Sequence, residues 1–380
     1  MKIVIAPDSF KESLTALQVA NAIEAGFKQV LPQATYLKIP MADGGEGTVS
    51  AMIDATGGTT INTQVTAPLG NKINACWGLL GDKTCAVIEM AQASGLHLVD
   101  PNLRNPMHTT SFGTGELILN ALNAGVKKII IGIGGSATND GGMGMMQALG
   151  AKFYNQNKEI LELGCGKHLA RITNIDLTNL DKRISQAQII VACDVNNPLC
   201  GDNGASYVFG KQKGATAEMI KILDNSLFNL GKLIEQTTGR DVINVAGAGA
   251  AGGLGASLMG LLNAKLQPGV QIVLDTLNFA DAARDADLVI TGEGRLDFQT
   301  IKGKTPIGVA KLAKKFNIPV IAIAGIMQNG HESIYDNGID AAFSILHDIT
   351  SLNDALITTE TNLKLAARNI AVLWKITNKL

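Results

Sequence analysis

The polar stretch "ITGEGRLDFQTIKGKTPIG" (Ile290 to Gly308) follows an apolar run and carries Glu293, Arg295, Asp297, Lys302 and Lys304. An arginine among carboxylates suits a small anion, because its fixed donors match two oxygens of a carboxylate or phosphate at once. It suits an ion pair inside the turn as well. The "GKT" fails as a Walker loop, since the position that needs glycine is Phe298. A second polar group lies in "APDSFKESLTA": Asp8, Ser9 and Lys11, at the end of an apolar run. Ser9 and Ser13 are candidate helix caps. Lys11 placed in a first helical turn opposes the helix dipole, and a bound anion would compensate. In "MADGGEGT", Asp43 follows another strand-like run, either as a cap or as a hydroxyl or Mg²⁺ ligand. In "VACDVNNPL", Asp194 could take a proton from a hydroxyl, or simply open an Asx turn.

Two glycine-rich turns look built for close approach to a ligand. "GIGGSATNDGGMG" (Gly132 to Gly144) follows "KKIIIGI" and offers Gly134, Gly135, Ser136 and Asn139 to a nucleotide. It has no lysine of its own. "VAGAGAAGGLGAS" contains G-x-G-x-x-G at Gly247, Gly249 and Gly252, and Asp275 lies 23 residues on, at the end of "GVQIVLD". Read as a strand, that segment completes a dinucleotide fingerprint. The run before the glycines, "DVINV", is a poor strand. Phosphates of one nucleotide, or close packing, account for the same glycines; Gly253 and Gly255 read as packing positions.

The elements that must position these groups alternate. "KIVIA" reads as a strand, "SLTALQVANAIEAGFKQVL" as a helix and "ATYLKIPM" as a strand. The pattern returns in "ADLVITG", "PIGVAKLAKKF", "IPVIAIAG", "AAFSIL" and a closing helix over "NDALITTETNLKLAARNIAVLWKIT". Such alternation predicts a parallel sheet covered on both faces. Between them, "INTQVTAP", "KINACWGLL" and "TCAVIEM" are joined by short turns, which predicts a β-meander. The expected architecture is α/β with two domains: a discontinuous Rossmann/flavodoxin-like parallel-sheet domain, 1–59 plus 279–380, and an inserted α/β domain, 60–278, that contains the meander.

Composition narrows the function. The net charge of -1 offers no footprint for nucleic acid or an anionic membrane. No apolar run is long enough to span a bilayer, and the apolar run at the start is too short for a signal peptide. The five cysteines are odd in number and never at CxxC spacing, so a reduced, cytoplasmic protein is expected. The five histidines form no ligand spacing, and no GxSxG motif sits in a strand–turn–helix setting. Homo-oligomer formation stays open.

Taken together and in order, "IAPDSFKESLTA", "ADGGEGT", "GIGGSATNDGG", "CDVNNPLCG", "GAGAAGGLG" and "TGEGRLDFQT" resemble the bacterial glycerate kinase family, from residue 3 to about residue 325. Glu12 departs from it, standing where glycine is expected. The resemblance implies ATP-dependent phosphorylation of D-glycerate to 2-phosphoglycerate, in the breakdown of glyoxylate or aldaric acids, with Mg²⁺ and a cleft between two α/β domains. For such a reaction, location at strand ends makes Lys11, Asp194 and Arg295 the expected catalytic residues: Lys11 against the transferring group, Asp194 as base and Arg295 on the carboxylate. Asp8, Ser9, Asp43, Glu293 and Asp297 would face substrate, and Asp43 or Glu293 would hold the metal. Gly134, Gly135, Ser136 and Asn139, or Gly247, Gly249 and Gly252, would hold the nucleotide. Two other functions remain open: an NAD-dependent oxidoreductase of small hydroxy acids, built on Gly247 to Gly252 and Asp275, and a non-catalytic sugar-acid sensor.

Overall fold

The computed structural model describes residues 1–378. The chain forms two compact units. Unit one comprises Met1–Asp43, Ser50–Gly57 and the chain from Pro268 onward; unit two comprises Gly44–Val49 and Gly58–Gln267. Strands are numbered along the chain: β1 (Lys2–Pro7), β2 (Thr35–Lys38), β3 (Thr59–Thr66), β4 (Lys72–Leu79), β5 (Cys85–Glu89), β6 (Lys128–Gly132), β7 (Lys152–Tyr154), β8 (Asn174–Asp176), β9 (Gln188–Ala192), β10 (Lys265–Gln267), β11 (Leu288–Leu296), β12 (Val320–Met327) and β13 (Ala341–Ser344).

Unit one is a five-stranded sheet in the order β13-β12-β11-β1-β2, with every neighbouring pair parallel. Taken in chain order within this sheet, that is second-first-third-fourth-fifth, the flavodoxin-like winding. Apolar β1 (Ile3, Ile5) and β11 (Leu288, Ile290) are fully buried beneath the helices Ala16–Lys28 and Leu352–Thr377. Those helices pack closely enough that a Cβ on Gly26 would stand 2.4 Å from the Lys364 carbonyl oxygen.

"GVQIVLD" is not a strand. Gly269–Thr276 is a helix, entered from Pro268, that buries Val270, Ile272, Val273 and Leu274. Val270 presses against Gly308 of the helix Thr305–Lys314. An eight-residue apolar run satisfies either period, and here the packing decides it. The first helix starts at Ala16, later than its apolar pattern, because Thr15 and Gln18 form a reciprocal capping box.

Unit two has a six-stranded sheet ordered β10-β9-β6-β5-β4-β3, plus the hairpin β7-β8. β3, β4 and β5 form the antiparallel meander; β5, β6, β9 and β10 run parallel. The core gathers Trp77, Ile88, Leu117, Ile129 and Ile131. Trp77 is fully buried, and its indole N–H is satisfied by Asn120 Oδ1 at 2.7 Å. "DVINV" makes no strand.

Candidate functional site

In unit one the strand order reverses between β1 and β11, where Pro7 lies opposite Gly292. Ligands of such sheets bind beyond the strand ends at this switch point. Asp8 stands there. Its N–H donates to the Gly292 carbonyl at 2.8 Å, and its carboxyl accepts from the Ser9 N–H and the Thr305 hydroxyl, each at 2.6 Å. Burial pushes the Asp8 carboxyl up to about 7; repulsion from Asp43 and, more weakly, Glu293 adds to this, while the Thr305 and Ser9 bonds oppose it. A carboxyl poised near neutrality can take up a proton at working pH.

Glu293 and Arg295 lie within β11, not beyond it, two residues apart and so on one face. Glu293 is buried and accepts from the Thr300 hydroxyl at 2.7 Å and the Lys304 ammonium at 3.3 Å. Burial raises its carboxyl; those two partners pull it back. Arg295 makes the turn-internal ion pair with Asp297 at 3.0 Å. Asp297 is 5% exposed and also accepts the Gln299 N–H, so it is committed to the turn. The Arg295 side chain is 51% exposed, which leaves guanidinium donors for a ligand.

Lys11 is exposed in the turn before the capping box, not in the first helical turn, so the dipole argument for it falls. Its backbone nitrogen does lie at the β11 end, 3.6 Å from where a Cβ on Gly294 would stand. Neither serine caps the helix: Ser9 donates to Asp8, and Ser13 donates to the Leu356 carbonyl. Glu12 has φ +65°, the left-handed region that favours glycine. Its departure from the family pattern is therefore a backbone strain, outside the polar contacts of the site.

Unit two brings the loops after β5, β6 and β9 to one sheet edge, with Gly132 paired to both Glu89 and Ala192. Gly134 and Gly135 are exposed, and a Cβ on Gly134 would meet nothing within 4 Å. The rest of the turn is held from behind. Asp140 is buried and accepts from the Ser111 N–H and hydroxyl and from the N–H groups of Gly142 and Gly144. Burial raises its carboxyl, and the Ser111 hydroxyl leads the bonds that oppose this. Asn139 donates to the Ser206 hydroxyl at 2.8 Å. Lys213, 2% exposed, sends its ammonium to the Ser136 hydroxyl at 2.7 Å and the Thr138 carbonyl at 2.6 Å. Burial brings that ammonium down to about 7, and Asp140 resists. Asp194 is exposed two residues past β9.

The second glycine turn is closely packed. Gly247 faces Leu266 and the Cys193 Sγ, and Gly249 faces the Pro198 carbonyl. A Cβ on Gly252 (φ +67°) would stand 2.1 Å from the Thr138 carbonyl oxygen. The Gly252 carbonyl in turn accepts the Gly141 N–H at 3.0 Å. The two glycine turns are therefore one interlocked structure. Gly253 and Gly255 are packing positions too, against Leu227 and the Gly247 carbonyl. No strand leads into the G-x-G-x-x-G, and Asp275 lies on a helix, so the dinucleotide fingerprint is overturned.

Several groups escaped sequence reasoning. Lys213 sits in "GKQKGAT", a run that reads as solvated. Gly214 after it has φ +89°, and a Cβ there would stand 2.1 Å from the Arg104 carbonyl. Glu89 ends the apolar β5 yet is buried and accepts the Val49 N–H at 2.9 Å. Its carboxyl is raised by burial.

Among the described residues no group of three or more His, Cys, Asp or Glu is arranged to hold a metal ion. A protein cage is therefore absent there. Mg²⁺ on a nucleotide asks for less, one or two carboxylates beside phosphates and water. The carboxylates of Asp43 and Glu293 lie near enough to Asp8 to repel its charge, a cluster that suits that lighter demand.

The chain matches the model of the glycerate kinase family over residues 3–375. It is 57% identical over 371 residues to a glycerate kinase of Haemophilus influenzae, covering 98% of each chain. It is 54% identical over 376 residues to a glycerate 2-kinase of Escherichia coli K12, covering 99% of this chain and 98% of the relative. A crystal structure from Salmonella typhimurium LT2, described as a glycerate kinase 2, superposes with a TM-score of 0.93 at 54% identity, with 100% of both chains covered. Matches of this extent, over the motifs and strand ends described above, place the chain in the glycerate kinase family.

Proposed function

We propose that the protein transfers the γ-phosphoryl group of ATP to the 2-hydroxyl of D-glycerate. The observation that carries this reading is the 54% identity, over nearly the full length of both chains, to a relative named glycerate 2-kinase. The geometry supports it with an open, braced glycine turn and with strand-end acids beside an exposed arginine.

The turn at Gly134, Gly135, Ser136 and Asn139 takes the nucleotide phosphates, in preference to Gly247, Gly249 and Gly252, whose space is filled. Arg295 holds the glycerate carboxylate through the donors that Asp297 leaves over, and Ser9 and Lys11 follow the neighbouring strand β1. A base must accept the glycerate hydroxyl proton as the new O–P bond forms and the γ-phosphate–ADP bond breaks. Asp194 is one candidate. Asp8 is better matched, because its carboxyl sits near neutrality. Mg²⁺, held beside Asp43, would neutralise phosphate charge. We also infer a cytoplasmic location, in keeping with five free cysteines, and a small-molecule role without nucleic acid or membrane. No helix among the described residues is long and apolar enough to cross a membrane.

The test is ADP release, coupled to NADH oxidation, with D-glycerate, L-glycerate, lactate and tartronate supplied in turn. D-glycerate alone should support rapid turnover. No turnover with any of the four would sink the proposal and revive the sensor reading.

A further inference from the structure

The glycine turn lacks the lysine of a Walker loop, yet a lysine reaches it from another segment. Lys213 ends a short 3₁₀ turn, Lys211–Lys213, and its side chain is buried. Burying an ammonium is costly unless it is paired and hydrogen-bonded. Here it donates to one hydroxyl and one carbonyl, both of the same turn, with the Asp140 carboxyl as the nearby charge. A lysine needed only to fill space could be an apolar residue of the same length. Ser206 of the preceding helix, Ala205–Phe209, holds Asn139 of that turn as well.

Ser136 Oγ accepts from the ammonium, so its own O–H must point elsewhere. A hydroxyl polarised by a cation on its lone pair is a stronger donor to an anion. The residues before it, Gly134 and Gly135, are the exposed part of the turn.

We propose that Lys213 is a positioning residue for the nucleotide: its ammonium fixes Ser136 and the Thr138 carbonyl from beneath and directs the Ser136 hydroxyl toward a phosphate. This rests on the reading that the turn at 134–139 receives the ATP phosphates. The missing Walker lysine is thereby replaced by one that acts through the turn and does not touch phosphate.

The experiment compares Lys213→Met, Lys213→Gln and Ser136→Ala, with Lys211→Met as a control on the exposed neighbour. KM for ATP, KM for glycerate, kcat and thermal midpoint are measured for each. Lys213→Met should raise the ATP KM about ten- to hundredfold, as expected for losing a charge-assisted bond, with the glycerate KM within about twofold. Lys213→Gln, which keeps a neutral donor for the turn, should fall between. The double variant with Ser136→Ala should be no worse than Lys213→Met, since both break one relay. If Ser136→Ala raises the ATP KM while both Lys213 variants leave it unchanged, or raise both KM values equally, the positioning role is wrong. If Ser136→Ala also leaves the ATP KM unchanged, the turn does not hold the phosphates, and the underlying reading fails with it.

Discussion

Replacing Asp8 by asparagine should stabilise the ligand-free protein at pH 8 and cripple it as an enzyme. The Asp8 carboxyl is moved from 3.8 to about 7, first by burial and then by Asp43. At about 1.4 kcal/mol per tenfold change in proton affinity, that rise corresponds to about 4 kcal/mol of strain in the ionised folded state. Asp8 keeps part of its surface, and screening brings a realistic figure to about 2 kcal/mol. The direction follows from proton counts. Between about pH 4 and 7 the folded chain holds a proton on Asp8 that the unfolded chain has lost, so stability falls as pH rises through that window. The penalty is complete above 7 and absent below about 4. Asparagine carries no charge; its oxygen can still accept the Ser9 N–H, and its amide N–H donates to the Thr305 hydroxyl, which turns to accept. Urea denaturation in EDTA, followed by circular dichroism, should show Asp8→Asn about 2 kcal/mol more stable at pH 8, or about 4–8 °C for a unit of this size. The gain should shrink to a few tenths of a kcal/mol near pH 4. Equal stability at pH 8, or a gain that ignores pH, would refute the reasoning. Stability gained with activity lost marks a group held under strain for chemistry.

Four further outcomes follow from the geometry. Glu12→Gly should relieve the left-handed strain of about 1–2 kcal/mol, less the entropy cost of glycine, for a net gain of about 0.5–1 kcal/mol in denaturation; a loss would show that Glu12 makes a compensating contact. Arg295→Ala should raise the glycerate KM about ten- to hundredfold while costing less than about 1 kcal/mol, because its pair with Asp297 is half exposed; an unchanged KM removes Arg295 from the site. Gly252→Ala should cost about 2–4 kcal/mol, because its Cβ would strike the Thr138 carbonyl in a left-handed backbone. Gly134→Ala, facing open space, should change stability by less than about 0.5 kcal/mol yet raise the ATP KM. The reverse ranking of these two glycines in stability would contradict the division between packing turn and binding turn.

Much of the fold was legible because strands bury β-branched runs and end in polar residues. The motifs around Asp8, Asp43, Asp194 and Glu293 mark strand ends or the strand itself, and the meander was marked by its short turns. The failures have identifiable causes. Gly269–Thr276 is too short for its apolar pattern to separate helix from strand. Lys11 was misplaced because the apolar pattern was extended past Thr15, although "TALQ" carried the capping-box signal. Lys213 lay beyond pattern reading altogether. Its partners Ser136 and Thr138 are 77 and 75 residues away, and only tertiary contact distinguishes it from the solvated Lys211 two positions earlier.

The central claim, phosphorylation at the 2-hydroxyl, is tested most directly by the proton-coupled phosphorus NMR spectrum of the product from D-glycerate and Mg-ATP. The account predicts a doublet, from phosphorus coupled to the single proton on C2, growing in step with the ADP signals. A triplet, from the two protons on C3, would contradict the assigned position, and a spectrum that keeps only ATP resonances would contradict the kinase reading.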